Sequence, residues 1–295
     1  MTATDHSRTQ AGVAYALAAF LSWGLNPFYF KAVGFIPTLE ILGHRIVWSM
    51  LFLLPLILYA RLWPQLAQAL TNRHTFLILA ATSIIVGANW LLYIHTVAVG
   101  RVLESSLGYY INPLVNVLFG RLFLGERLSR FQLVAVLIAG AGVLNMIVAY
   151  GEVPWLALGL AVTFAIYGLL RKIVSVDALP GLFIETVMLL PFALIGLALF
   201  GRSFTSADLR TDILLVLAGP VTFLPLLWFT CAARRLELSV IGFFQFISPS
   251  IQFLLAVFVF GEHFGPAHYV TFGLIWTAIA IFTLAPRFMR EPAVT

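Results

Sequence analysis

Charge is scarce in this chain. Only 10% of its 295 residues are charged, whereas 61% are hydrophobic and the mean hydropathy is +1.01. Soluble domains carry about 25% charged and 45–50% apolar residues, so a water-soluble globule is excluded and an integral membrane protein takes its place. Cysteine is nearly missing too: Cys231 stands alone in an apolar run, which excludes an internal disulfide and a cysteine metal cluster. The sequence has no HExxH, no GxSxG, no phosphate loop and no aspartate inside an apolar stretch. Zinc, serine, nucleotide-driven and aspartyl chemistry therefore lack their parts. A pair such as His44 with Glu40 could move a proton but has no nucleophile or metal beside it, so the chain reads as a non-enzyme without metal or cofactor.

What is present is a series of apolar stretches of membrane-spanning length. Ten lie near 12–30, 39–60, 75–97, 102–120, 131–149, 154–170, 182–200, 213–231, 239–260 and 267–286. The first contains Trp23, Asn26 and Pro27 and ends without a small-residue cleavage site, so it reads as a retained span rather than a signal peptide. The formal net charge of +5 would suggest nucleic acid in a soluble chain. Here the positions of the basic residues matter more. With a cytoplasmic N-terminus, that side carries Arg8, Arg61, Arg73, Arg121, Arg127, Arg130, Arg171, Lys172, Arg234, Arg235, Arg287 and Arg290. The other side carries only Lys31, Arg101, Arg202 and Arg210, and Arg45 is left inside a span. The excess of basic residues sets both termini in the cytoplasm.

One pattern occurs twice. GYYINPLVNVLFGRLFLGER, from Gly108 to Arg127, returns as GFFQFISPSIQFLLAVFVFGEHF, from Gly242 to Phe264. Pro113 and Pro249, Gly125 and Gly261, and Glu126 and Glu262 are each separated by the same interval, which predicts an internal duplication. The expected organisation is a cytoplasmic tail over 1–11, a five-helix repeat over 12–149, a second over 150–286 and a cytoplasmic tail over 287–295. Five is odd, so the second repeat enters the membrane from the opposite side. Two inverted five-helix repeats, ten transmembrane helices in an all-α fold, are the architecture of secondary transporters that work by alternating access.

The chain resembles the EamA-type ten-helix members of the drug/metabolite transporter superfamily, and within them the RarD group. The resemblance rests on LAAFLSWGLNPFYFK (17–31), EILGHRIVWS (40–49), GANWLLYIHTVA (87–98), LESSLGYYINPLVNVLFGRLFLGER (103–127), ALGLAVTFAIYGLLRK (157–172) and LPLLWFTCAARRLELSVIGFFQFISPS (224–250). It implies a multi-pass protein of the bacterial inner membrane that moves a small organic solute, in net efflux, within membrane lipid and without nucleic acid. The driving force is a proton or other ion gradient, or the solute's own gradient in an ion-independent facilitator. A non-transporting receptor or sensor is the alternative. Oligomeric state is open.

Polar residues inside spans are costly and mark pathways. The first half offers Glu40, His44 and Arg45 on the second span, Asn89, Tyr93 and His95 on the third, and Glu104, Ser105, Tyr109 and Asn112 on the fourth. The expected partner of Arg45 is Glu104 or Glu40, as a structural lock or as part of the path. The second half offers Tyr167, Glu185, Gln245, Ser248 and Gln252. Pro113 and Pro249 are hinge candidates. Trp23, Trp90 and Trp228 are candidate cavity residues, whereas Glu126 and Glu262 are expected to bond free amides at the start of the next helix. Ala14, Ala18 and Ser22, and Ala157, Ala161 and Ala165, are candidate packing faces.

Overall fold

The structure, a computed structural model, describes residues 3–98, 102–151, 155–205, 208–259 and 265–288, with the side chains of 94–107 among those outside it. A backbone in hydrocarbon must satisfy its own hydrogen bonds, and among the described residues every regular element is a helix. In chain order these are α1 (Ala3–Val33), α2 (Thr38–Tyr59), α3 (Trp63–Thr71), α4 (Arg73–Ala98), α5 (Val102–Phe123) and α6 (Arg130–Tyr150). There follow α7 (Trp155–Ile173), α8 (Ala178–Phe200), α9 (Leu209–Ala233), α10 (Leu238–Gln245), α11 (Ile247–Phe258) and α12 (Pro266–Phe288). Among the described residues six helices, α2, α4, α6, α7, α8 and α9, are long and apolar enough to cross a membrane.

Two elements differ from the sequence expectation. The short helix α3 buries Leu66 and Ala69 against its neighbours and leaves Trp63 half exposed. Its nine residues are too few to register as a span. The apolar stretch near 239–260 is two helices, separated at Phe246. Pro249 has no N–H for the carbonyl of Gln245, and Phe246 N instead bonds Phe243 O in a tighter turn at 3.3 Å. Helix α5 runs through Pro113 without such a break.

The most extensive helix pairings join the chain before residue 150 to the chain after it: α6 with α12, α5 with α7, α2 with α8, α1 with α9, α2 with α9, α5 with α10, and α4 with α7. The halves are interleaved, so neither buries its own apolar faces alone. Gly108 and Gly242, the glycines that open the two copies of the pattern, sit where such helices cross closely. An added Cβ would lie 2.9 Å from Ala157 O at the first and 2.7 Å from Pro113 O at the second. Ala157, Ala161 and Ala165 are fully buried on α7. On α1 the buried small face is Gly12, Ala16 and Ala19, rotated from the Ala14, Ala18 and Ser22 expected by fourfold spacing.

Candidate functional site

A cavity of about 430 Å³ lies where α1, α2, α4, α5, α7, α9, α10 and α11 meet. That is within the range of small-molecule sites, about 300–1,000 Å³. Its apolar wall is aromatic, with Phe20, Trp23, Phe30, Trp90 and Phe164. Trp23 meets Phe164 edge-on at 5.6 Å between centroids. The polar wall gathers Arg45, Asn89, Tyr93, Tyr109 and Asn112 from the first half with Gln245, Ser248 and Gln252 from the second. Polar residues offered separately by the two halves of the sequence thus share one chamber.

Several of these side chains are committed to holding the helices. Asn89 Nδ2 donates to Leu160 O at 3.0 Å and to Thr163 Oγ1 at 2.8 Å, and Asn112 Nδ2 donates to Ala161 O at 2.6 Å. These bonds tie α4 and α5 to α7 across the halves. Asn116 Nδ2 donates to Asn112 Oδ1 at 3.1 Å and to Gln245 Oε1. Gln252 Nε2 reaches Trp23 O at 3.2 Å.

Arg45 is held differently. Its Nε donates to Thr222 Oγ1 at 2.7 Å, and its guanidinium stands over the rings of Trp90 and Phe30 at 5.2 and 5.6 Å. The expected pairing with Glu40 is not made. Glu40 accepts instead from Arg202 N at 3.0 Å, Ser203 N at 2.6 Å and Ser203 Oγ at 3.0 Å. A carboxylate at a helix start is drawn to free backbone amides close by, and here those belong to the segment after α8. The side chains of Glu104, Ser105 and His95 lie outside the described residues, as does Glu262.

His44, Tyr167 and Glu185 do not line the cavity. His44 is buried, accepts from Trp48 Nε1 at 3.3 Å and packs on Phe204 with centroids 5.1 Å apart. Glu185, 1% exposed, forms an ion pair with Arg171 Nε at 3.6 Å and accepts from Thr82 Oγ1 at 2.5 Å and Tyr167 Oη at 3.3 Å. Arg171 also donates to Ala178 O at 3.1 Å. Its charge placed it at the cytoplasmic rim in the sequence, but it is fully buried. Gly181 leaves the space its guanidinium fills. Phe164, which lines the cavity, packs on Tyr167 at 5.9 Å. The ion pair therefore sits one ring layer behind the wall.

Glu126 makes a second clasp of the same kind as Glu40. It accepts from Leu238 N at 2.6 Å, Ser239 N at 3.0 Å and Ser239 Oγ at 2.7 Å, holding the start of α10. The sequence expectation was the next helix, α6, but Ser129 and Gln132 cap that one with a reciprocal box.

Sequence reasoning missed Phe20, Asn26, Phe30, Lys31, Phe164 and Thr222 as cavity residues. Asn26 and Pro27 interrupt an apolar stretch and could have been found on that ground. Phe164 and Thr222 carry no such signal. Trp23 and Trp90 line the chamber and Trp228 does not.

Residues 10–148 match the EamA-like transporter family. The chain is 47% identical over 284 residues to Protein RarD of Salmonella typhi, covering 95% of this chain and 97% of that one. It is 48% identical over 284 residues to a protein of Vibrio cholerae named an uncharacterized transporter, covering 95% and 94%. A crystal structure superposes with a TM-score of 0.72 at 18% identity, covering 97% of this chain and all of that one, which shows a shared fold. These likenesses make the chain a multi-pass membrane transporter of the bacterial inner membrane, and it belongs to the EamA-like transporter family, in its RarD group.

Proposed function

We propose that the protein is a secondary active transporter of small organic solutes that works by alternating access around the aromatic cavity, with ten spans arranged as two inverted repeats over 12–149 and 150–286. The observation that carries this reading is a single chamber walled by both halves of the chain. Its helix pairings also map onto themselves when each helix is exchanged for its counterpart in the other half. The pairing of α1 with α9 becomes that of α7 with α4, that of α2 with α9 becomes α8 with α4, and that of α5 with α7 becomes α10 and α11 with α1. The pairs α2 with α8, α5 with α10 and α6 with α12 exchange into themselves, and every one of these contacts exists. Such an exchange gives inward-open and outward-open states of similar energy.

The two clasps fit this reading. Glu40 ties α2 to the segment after α8 at one end of the bundle, and Glu126 ties α5 to α10. Under the topology set by the basic residues these ends face opposite sides of the membrane. Each clasp is a candidate gate bond that is made with its end closed and released when it opens. Pro113 and the Phe246 break before Pro249 are the matching hinge positions. The test is flux of labelled solutes into proteoliposomes, with and without a proton gradient. Saturable flux that depends on the gradient supports the proposal. Saturable flux indifferent to it supports a facilitator, and ligand binding without flux supports a receptor.

A further inference from the structure

We propose, building on the transport reading, that the cavity selects organic anions, an aromatic or apolar body carrying one carboxylate, and that Arg45 is the anion-recognition residue.

A guanidinium inside a membrane protein needs compensation, and it is ordinarily a carboxylate. Arg171 follows that rule with Glu185. Arg45 does not. Among the described residues no Asp or Glu lines the cavity, whereas the guanidinium of Arg45 does. What holds Arg45 is a hydroxyl and two aromatic faces. Each leaves something free. The bond from Nε to Thr222 fixes the plane of the group and uses one of its five N–H donors. The Trp90 and Phe30 rings attract the charge through their quadrupoles and accept none of the in-plane N–H bonds. The remaining donors form the planar fork that carboxylates bind in bidentate fashion.

The rest of the chamber supplies the other half of the ligand's chemistry. Trp23 and Phe164 are suited to covering a flat apolar body. The amide donors of Asn89 and Asn112 are committed to α7 carbonyls, so they do not compete for the anionic group. A cationic solute would meet the guanidinium of Arg45 with no opposing carboxylate among the described lining.

Three indole compounds that differ at one end test this: indole-3-acetate, indole-3-acetamide and tryptamine. Binding to the purified full-length protein in detergent is read by thermal shift and titration calorimetry, and flux is read separately in proteoliposomes. The acetate is expected to bind at least tenfold more tightly than the acetamide, and tryptamine not at all. Arg45→Met is expected to abolish the difference between acetate and acetamide. Arg45→Lys, which keeps the charge and loses the fork, is expected to retain part of it. The wild-type comparison alone decides the matter if a variant fails to fold. Equal binding of acetate and acetamide, tighter binding of tryptamine, or no binding by any of the three at millimolar concentration would overturn the proposal. The flux arm separates it from the transport reading. Acetate that binds but never crosses supports the anion site and removes transport, whereas saturable movement of tryptamine or the amide in preference to acetate does the reverse.

Discussion

Arg171 is fully buried and Arg45 is partly buried at the cavity wall, and the two guanidiniums are compensated in opposite ways. Arg171 has Glu185, the carbonyl of Ala178 and the gap left by Gly181, all on α8. Arg45 has Thr222 and two rings, and it lines a chamber. A charge answered by a fixed carboxylate is closed to a ligand. One answered by a hydroxyl and aromatic faces keeps its hydrogen-bonding edge. The pair teaches how a structural cation and a recognition cation can be told apart when the sequence shows two arginines.

The sharpest way to break the comparison is to remove one partner of each. Glu185→Ala leaves Arg171 buried without its counter-charge, and breaking a buried pair costs about 3–5 kcal/mol. The expected result is a large fall in melting temperature in detergent, partly restored by the double change with Arg171→Met. Arg45→Met should leave the melting temperature near that of the native protein but reduce flux of an anionic solute at least about tenfold, because a hydrogen bond to a charged group is worth about 1.5–3 kcal/mol. If both variants unfold alike, the distinction between the two arginines is lost.

Thr222→Val tests how Arg45 is aimed. It removes the acceptor at 2.7 Å while the charge and both rings remain, so a several-fold loss of affinity is expected with no change in stability beyond about 1 kcal/mol. Glu126→Gln and Glu40→Gln should each weaken one clasp, with maleimide labelling of an introduced cysteine rising at the corresponding end only. A rise at both ends from either change would break the two-gate reading.

The smallest effect lies outside the membrane. Asp208 caps α9, and the Thr211 amide, bonded at 2.7 Å, holds its carboxyl below the usual carboxylate range. A depressed pKa contributes stability that is present above the unfolded value and is lost as pH falls through the folded one. The loss on acidification should therefore be slightly smaller in Asp208→Ala, as read from melting temperatures across the carboxylate range and below.

Much of this architecture was legible in the sequence because the bilayer imposes a simple rule of length and polarity. Most apolar stretches became one helix within a few residues of their expected bounds, although α1 begins at Ala3 and the stretch near 239–260 is divided into α10 and α11, and the Gly-aromatic-Pro pattern marked helices that do meet. What was hidden depends on three-dimensional pairing. Depth along a span could not reveal that Glu40 reaches across to Ser203, that Glu126 bypasses α6 for α10, or that Arg171 turns inward to Glu185. Arg45, Asn89, Tyr93, Tyr109 and Asn112 were readable as candidates because polarity is conspicuous in apolar helices. Phe164 and Thr222 were not, since an aromatic ring or a threonine is unremarkable there until the fold brings it opposite an arginine.

The central claim is that one chamber, walled by both halves, is reached in turn from each side of the membrane. The most direct measurement places a single cysteine at Ser248 in a Cys231→Ser background and labels it with a membrane-impermeant maleimide in right-side-out and in inside-out vesicles. The account predicts labelling from both sides, with a ligand shifting the ratio between them. Labelling from one side only, unchanged by ligand, would contradict it.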